Sequence, residues 1–134
     1  MPEREGAELA ARLAGKARED ATAVREFAAN EQIADSIIGF HGQQAVEKWL
    51  KAVMAVRGVR QTRIHDIDRL AGMLEDDGAE LPLDRDRLDE LTVYAVPLRY
   101  DELLDAEPLD REATMTLVDE VGKWADAQLD QGHV

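Results

Sequence analysis

One stretch of the chain, residues 40–52 within a predicted helix over residues 32–57, constrains the fold more than any other. At 100° per residue its apolar side chains form one stripe, and Leu50 and Met54 occupy a further side. A helix that is apolar on more than one side is expected at the centre of a bundle. The main stripe consists of Ile38, Ala45, Trp49, Ala52 and Val56.

The same helix carries a polar row, which consists of His41, Gln44, Lys48 and Lys51. Burying an unpaired polar group costs roughly 1–3 kcal/mol, so the row needs partners within the protein or a ligand. In one interpretation the lysines reach solvent over the core while His41 and Gln44 connect helices. In the other the row faces a cleft, with the lysines towards phosphate and Gln44 towards a base or backbone. Glu47, directly before Lys48 and one helical turn before Lys51, is expected to neutralise them in part.

Four further amphipathic patterns accompany this helix. In the first of them the predicted core face is approximated by Leu9, Leu13, Ala17, Val24 and Phe27, with Ala10, Ala14, Ala21 and Ala28 beside it. With short connections, the patterns predict an all-α fold, a five-helix up-and-down antiparallel bundle in a single domain over residues 1–134. The four predicted helices are residues 7–29, residues 64–76, a helix from Asp84 to the region of Leu98, and residues 110–129.

Residues of typical capping chemistry mark the predicted helix ends. Asn30 and Thr62 are expected to cap the second and third helices, and Asp84 the fourth. Gly58 stands where a C-terminal glycine ends the second helix. Pro97, which lacks an N–H donor, is expected to bend or end the fourth helix.

Composition and charge narrow the function classes. The chain has no cysteine, which excludes disulfides and thiolate zinc sites, and it has neither a signal-peptide core nor a membrane-length apolar run. We therefore expect a cytoplasmic protein without membrane contact. The net charge of −13 opposes general nucleic-acid binding. However, residues 48–69 contain six basic and two acidic residues, which indicates either a local anion site or an ordinary solvated helix face.

Three blocks of the chain together resemble the HEPN domain, a helical nucleotide-binding module. They are residues 40–52, residues 62–67 with the sequence His65-Asp66-Ile67, and the pair Arg99-Tyr100. The resemblance implies a bundle with a four-helix core, commonly a homodimer. It also implies a nucleotide or RNA ligand, and a minimal nucleotidyltransferase as partner in a two-component, toxin–antitoxin-like system.

The residues proposed to contact nucleotide or phosphate combine the polar row with the two later blocks. Alternatives remain open, since His65-Asp66 also suits a structural helix start, and Arg99 can pair with Asp101 or Glu102. The three histidines lack metal-ligand spacing, so neither a metal nor a cofactor is expected. The proposed contact residues are His41, Gln44, Lys48, Lys51, His65, Arg99 and Tyr100.

Ribonuclease chemistry is the main alternative. Many HEPN proteins that cut RNA carry a late Arg followed after four to six residues by His, a cation for the phosphate and an imidazole for proton transfer. No histidine follows Arg99 within that distance, and Arg60 and His65 match the spacing only across the loop before the third helix. We therefore expect a non-catalytic module. The alternatives are a ribonuclease toxin, with His65 and Arg99 or Arg60 as weak catalytic candidates, and a purely structural dimer.

Overall fold

The computed structural model describes residues 2–60, 63–95 and 108–131, and it contains helices but no strand within those ranges. This confirms the prediction of an all-α fold with five helices. Thr62, Pro97 and Leu98, which entered the sequence predictions, lie outside the described residues. The helices are α1 (Pro2–Ala28), α2 (Asp35–Arg57), α3 (Ile67–Asp76), α4 (Arg85–Thr92), followed by a 3-10 turn (Val93–Ala95), and α5 (Arg111–Gln131).

Helix α2 is the centre of the fold, because it packs against every other helix and against the 3-10 turn. Its predicted apolar sides are buried, including Ile38, Trp49, Leu50 and Met54. These sides are covered within a single chain, so the composition of α2 does not by itself require a second subunit. None of the described helices is both long and apolar enough to span a membrane.

The long helices approach one another closely at small residues. A Cβ added to Gly6 of α1 would lie 2.6 Å from the Ala55 carbonyl oxygen near the end of α2. One added to Gly122 of α5 would lie 2.8 Å from the Trp49 ring. Early α1 thus meets late α2, which makes that pair antiparallel. Trp49 is 4% exposed, which confirms its predicted place in the core.

The buried face of α1 is shifted from the predicted one towards the neighbouring alanines. It is a stripe of small residues, whereas Leu9 is 36% exposed and Leu13 and Phe27 are half-buried. Both faces have helical spacing, and the approach of Gly6 to the α2 backbone favours the face with the smaller side chains. The buried residues are Ala10, Ala14, Ala17, Ala21 and Val24.

Several helix boundaries also differ. Helix α1 begins at Pro2, since proline is tolerated in the first turn. Helix α2 begins only at Asp35, because Asn30 instead accepts the Gln32 N–H within the preceding turn. Helix α3 begins at Ile67 and is capped by Asp66, whose Oδ1 accepts two backbone N–H groups. That cap supports the structural interpretation of Asp66.

Other predicted boundaries are confirmed. Asp84 Oδ1 accepts two backbone N–H groups at the start of α4, and Gly58 ends α2 with φ +73°. In contrast to the prediction that it extends to the region of Leu98, helix α4 ends at Thr92 and tightens into the 3-10 turn. Helix α5 begins after Asp110, whose Oδ1 accepts the Ala113 N–H.

Arg111 joins three helix ends. Its guanidinium donates to Asp35 Oδ1 at the start of α2 and to the carbonyl oxygens of Phe27, Ala28, Asn30 and Ile33. These include carbonyl oxygens at the end of α1 that have no hydrogen-bond partner within the helix.

Burial of the side chain, and secondly the nearby Asp35 carboxylate, raise the pKa of Tyr94 in the 3-10 turn, so its phenol stays neutral.

The contact between Gly122 and Trp49 predicts opposite effects for two glycine substitutions. Gly122→Ala should lower the free energy of unfolding by about 1–3 kcal/mol, because the new methyl group meets a packed indole ring. Gly15→Ala, in the interior of α1 where the added Cβ meets no side chain or neighbouring helix within 4 Å, should raise it by about 0.5–1 kcal/mol. Urea unfolding of both variants measures this, and equal effects would contradict the packing described here.

Candidate functional site

Two members of the polar row, His41 and Lys48, converge on a carboxylate of α1. Asp20 Oδ1 lies 2.9 Å from His41 Nδ1, and Asp20 Oδ2 lies 2.5 Å from Lys48 Nζ. The Asp20 side chain is only 12% exposed, while those of His41 and Lys48 are 29% and 27% exposed. A single carboxylate therefore holds an imidazole and an ammonium group two turns apart on α2.

The last member of the row, Lys51, lies beside Glu47, whose side chain is 7% exposed. Its carboxylate accepts from Gln43 Nε2 at 2.9 Å and lies 3.3 Å from Lys51 Nζ. His65 Nδ1 reaches both carboxylate oxygens, at 3.1 and 3.2 Å. Helix α2 ends at Arg57, and the segment that follows it brings His65 beside Glu47.

The amides of Gln44, in the row, and of the adjacent Gln43 have a defined orientation. Gln43 Nε2 donates to the Glu47 carboxylate and to the His65 backbone carbonyl, and both of these groups can only accept while the carboxylate is ionised. Gln43 Oε1 therefore faces Gln44, whose Nε2 donates to it at 2.8 Å. This arrangement leaves Gln44 Oε1 without a hydrogen-bond donor among the described residues.

The pairing changes the electrostatics expected of the row. Each lysine already faces a carboxylate, Lys48 facing Asp20 and Lys51 facing Glu47. With neutral histidines the row and its two carboxylates carry no net charge. One interpretation of the sequence had two unpaired lysines attract phosphate. Because each lysine is paired with a carboxylate, the row attracts phosphate less strongly than that interpretation requires.

The remaining basic residues of the segment have different surroundings. Arg57 is held by Asp77, with Nε 2.8 Å from Oδ2. Arg60 and Arg63 are exposed. His65 is 65% exposed and lies beside Glu47. Arg99 and Tyr100 lie outside the described residues.

Two larger grooves of the protein lie away from the row. One, of about 420 Å³ between α4 and α5, has Asp84, Asp110, Glu112 and Glu120 in its lining, which disfavours anions. The other, of about 410 Å³, has Ala7, Ala11, Val56 and Leu129 in its lining. Within the described ranges no three His, Asp or Glu side chains cluster as metal ligands would.

Sequence reasoning missed Asp20, the partner of His41 and Lys48. A usable signal existed, because Asp20 follows Ala17 by three residues and precedes Val24 by four. Helical periodicity puts it beside the buried stripe of α1. A carboxylate in that position requires a cationic or hydrogen-bonding partner on the facing helix.

Comparison with known families agrees with this architecture. The family model of the HEPN domain matches residues 10–128, which is most of the chain. The chain belongs to the HEPN domain family. Searches of curated proteins and of solved structures found no significant match. Membership identifies this HEPN domain as a helical module related to nucleotides or RNA.

The Asp20 pairing predicts that Lys48 contributes to stability. Lys48→Met keeps the aliphatic stem of the side chain but leaves a largely buried carboxylate with His41 as its remaining partner. We expect the free energy of unfolding to fall by about 1–3 kcal/mol, as for a polar group that loses its partner.

Lys16→Met is the matched control, because Lys16 forms an exposed pair with Glu19. It should change stability by less than about 0.5 kcal/mol. Chemical denaturation of both variants provides the comparison. Equal stability of Lys48→Met and the wild type would show that Asp20 does not depend on the lysine.

Proposed function

We propose that this HEPN domain is a non-catalytic nucleotide- or RNA-binding module whose ligand contacts the polar row of α2. The observation that carries the proposal is the position of the two imidazoles. His41 and His65 each direct Nδ1 to a largely buried carboxylate, which leaves Nε2 for a ligand. Buried carboxylates that fix imidazoles in this way preorganise a hydrogen-bonding surface.

Recognition at the row relies on hydrogen bonds more than on net charge. Lys48 has three ammonium donors, of which one contacts Asp20, and Gln44 Oε1 accepts. Because the row is electrically balanced, we expect the affinity to fall only modestly with salt. Arg99 and Tyr100 are proposed as further contacts on the resemblance alone.

We further propose a homodimer, with a minimal nucleotidyltransferase as partner in a toxin–antitoxin-like system in the cytoplasm. The support for the dimer and the partner is the family resemblance. The apolar sides of α2 do not add to that support, because they are covered within one chain. A nucleotidyltransferase gene adjacent to this one would support the partner.

Calorimetric titration with mononucleotides and a short single-stranded RNA tests the ligand proposal. The wild type should bind at least one of them, and His41→Ala should weaken binding about two- to tenfold through loss of a hydrogen bond. Lys16→Met serves as the control and should bind like the wild type. If the wild type binds none of the panel, the row is a structural hydrogen-bonded layer and the proposal fails.

The contact between Glu47 and His65 favours a second candidate function, ribonuclease activity. A histidine backed by a carboxylate is a common arrangement for a general base, and His65 is exposed enough to reach a substrate. Arg60, five residues earlier, would then neutralise the phosphate. Ribonuclease activity is the weaker candidate, because Arg60 and His65 lie before the third helix in the sequence, whereas the family motif lies late in the chain.

Cleavage assays separate the two functions. We expect no multiple-turnover cleavage of single-stranded RNA by the purified wild type, and His65→Ala should leave any trace activity unchanged. Cleavage by the wild type that His65→Ala abolishes, while His41→Ala retains it, would replace the binding module with the ribonuclease.

A further inference from the structure

Phe40 places an aromatic side chain directly beside the row. It is 40% exposed, and its ring meets that of His41 edge-on, with centroids 5.5 Å apart and planes at 75°. Phe27 contacts the same imidazole from α1, with centroids 5.7 Å apart. Because Asp20 and Phe27 hold His41, the Phe40 ring rests against a fixed neighbour.

Gln44 lies one helical turn after Phe40, so their side chains are neighbours on the surface of α2. The hydrogen bonds through Gln43 leave Gln44 Oε1 as an acceptor. An aromatic ring and a directed polar acceptor side by side match the two parts of a nucleobase, its flat face and its polar edge.

We propose that Phe40 and Gln44 form a nucleobase-binding surface, in which the base stacks on the Phe40 ring and an N–H of its edge donates to Gln44 Oε1. The proposal rests on the proposed function and assigns the base of the ligand to Gln44 of the row and to the adjacent Phe40. Since the face and the edge of the base must both be free, the ligand class is a mononucleotide or single-stranded RNA rather than a duplex.

A protein partner is the competing explanation for exposed apolar side chains in this part of the molecule. Ile37, one turn before Phe40, is 44% exposed, and Val93 is 54% exposed. The oriented amide of Gln44 and the imidazole contact of Phe40 favour a base, since a purely apolar contact would use neither. A contact with a second copy of the chain is therefore an outcome of the test.

The test compares ligands with and without a base. Calorimetry is performed with adenosine and uridine monophosphates and with ribose 5-phosphate. Phe40→Leu should weaken nucleotide binding about fivefold or more, the low end of measured stacking effects, and leave ribose 5-phosphate unchanged. Phe40→Trp should retain wild-type affinity. Gln44→Met should weaken only the nucleotides, and Leu9→Ala, an exposed apolar control on α1, should change nothing.

The outcomes distinguish this proposal from the one on which it depends. Nucleotide binding by Phe40→Leu at wild-type affinity overturns the stacking surface and leaves the proposed function intact. Equal loss of nucleotide and ribose 5-phosphate binding also overturns it. A change of mass in sedimentation equilibrium with Phe40→Leu assigns the residue to a subunit contact instead. Absence of binding by the wild type to these nucleotides and to the short single-stranded RNA overturns both proposals.

Discussion

Two largely buried carboxylates, Asp20 and Glu47, determine how the polar side of α2 is arranged. Each faces one lysine and one histidine, so charges that would be costly to bury alone are neutralised in pairs. Asp20 connects α1 to α2, and Glu47 connects α2 to the segment before α3. The same contacts that stabilise the central helix therefore also fix the side chains proposed to bind a ligand.

Close packing of the helices makes this arrangement possible. Asp20 reaches His41 and Lys48 because the small residues of α1 let it approach α2 closely, as the contact of Gly6 with the Ala55 carbonyl shows. On another side, Gly122 admits the Trp49 ring. Arg111 fixes the end of α1 near Phe27, whose ring contacts His41. The geometry of the row thus depends on packing well beyond the row itself.

Sequence periodicity predicted the helices, the central role of α2 and the burial of Trp49, because these follow from local spacing. On α1 it identified the buried Ala17 and Val24 but centred the face on Leu9, Leu13 and Phe27, because the leucine and alanine stripes are both periodic and only the interhelical distance distinguishes them. Asn30 and Thr62 were reasonable caps by residue type, yet the chain turns differently at Asn30 and Asp66 caps α3. Such choices depend on tertiary contacts that a local pattern does not contain.

The candidate site was predictable in part for the same reason. The spacing of the row identified His41, Gln44, Lys48 and Lys51 as neighbours, but their partners come from distant positions in the chain. Asp20 precedes His41 by 21 residues, and its role depends on the register between α1 and α2. The charge balance of the row, which shifts the proposed recognition from ionic attraction towards hydrogen bonding, follows only once that register is known.

The central claim is that both imidazoles are held through Nδ1 by buried carboxylates, and nitrogen NMR of the histidine side chains tests it most directly. At a pH where they are neutral, His41 and His65 should both carry the proton on Nδ1, because a carboxylate accepts from that nitrogen. Asp20→Asn should alter the His41 signals alone, and Glu47→Gln those of His65 alone. Protonation of either imidazole at Nε2 in the wild type would contradict the account.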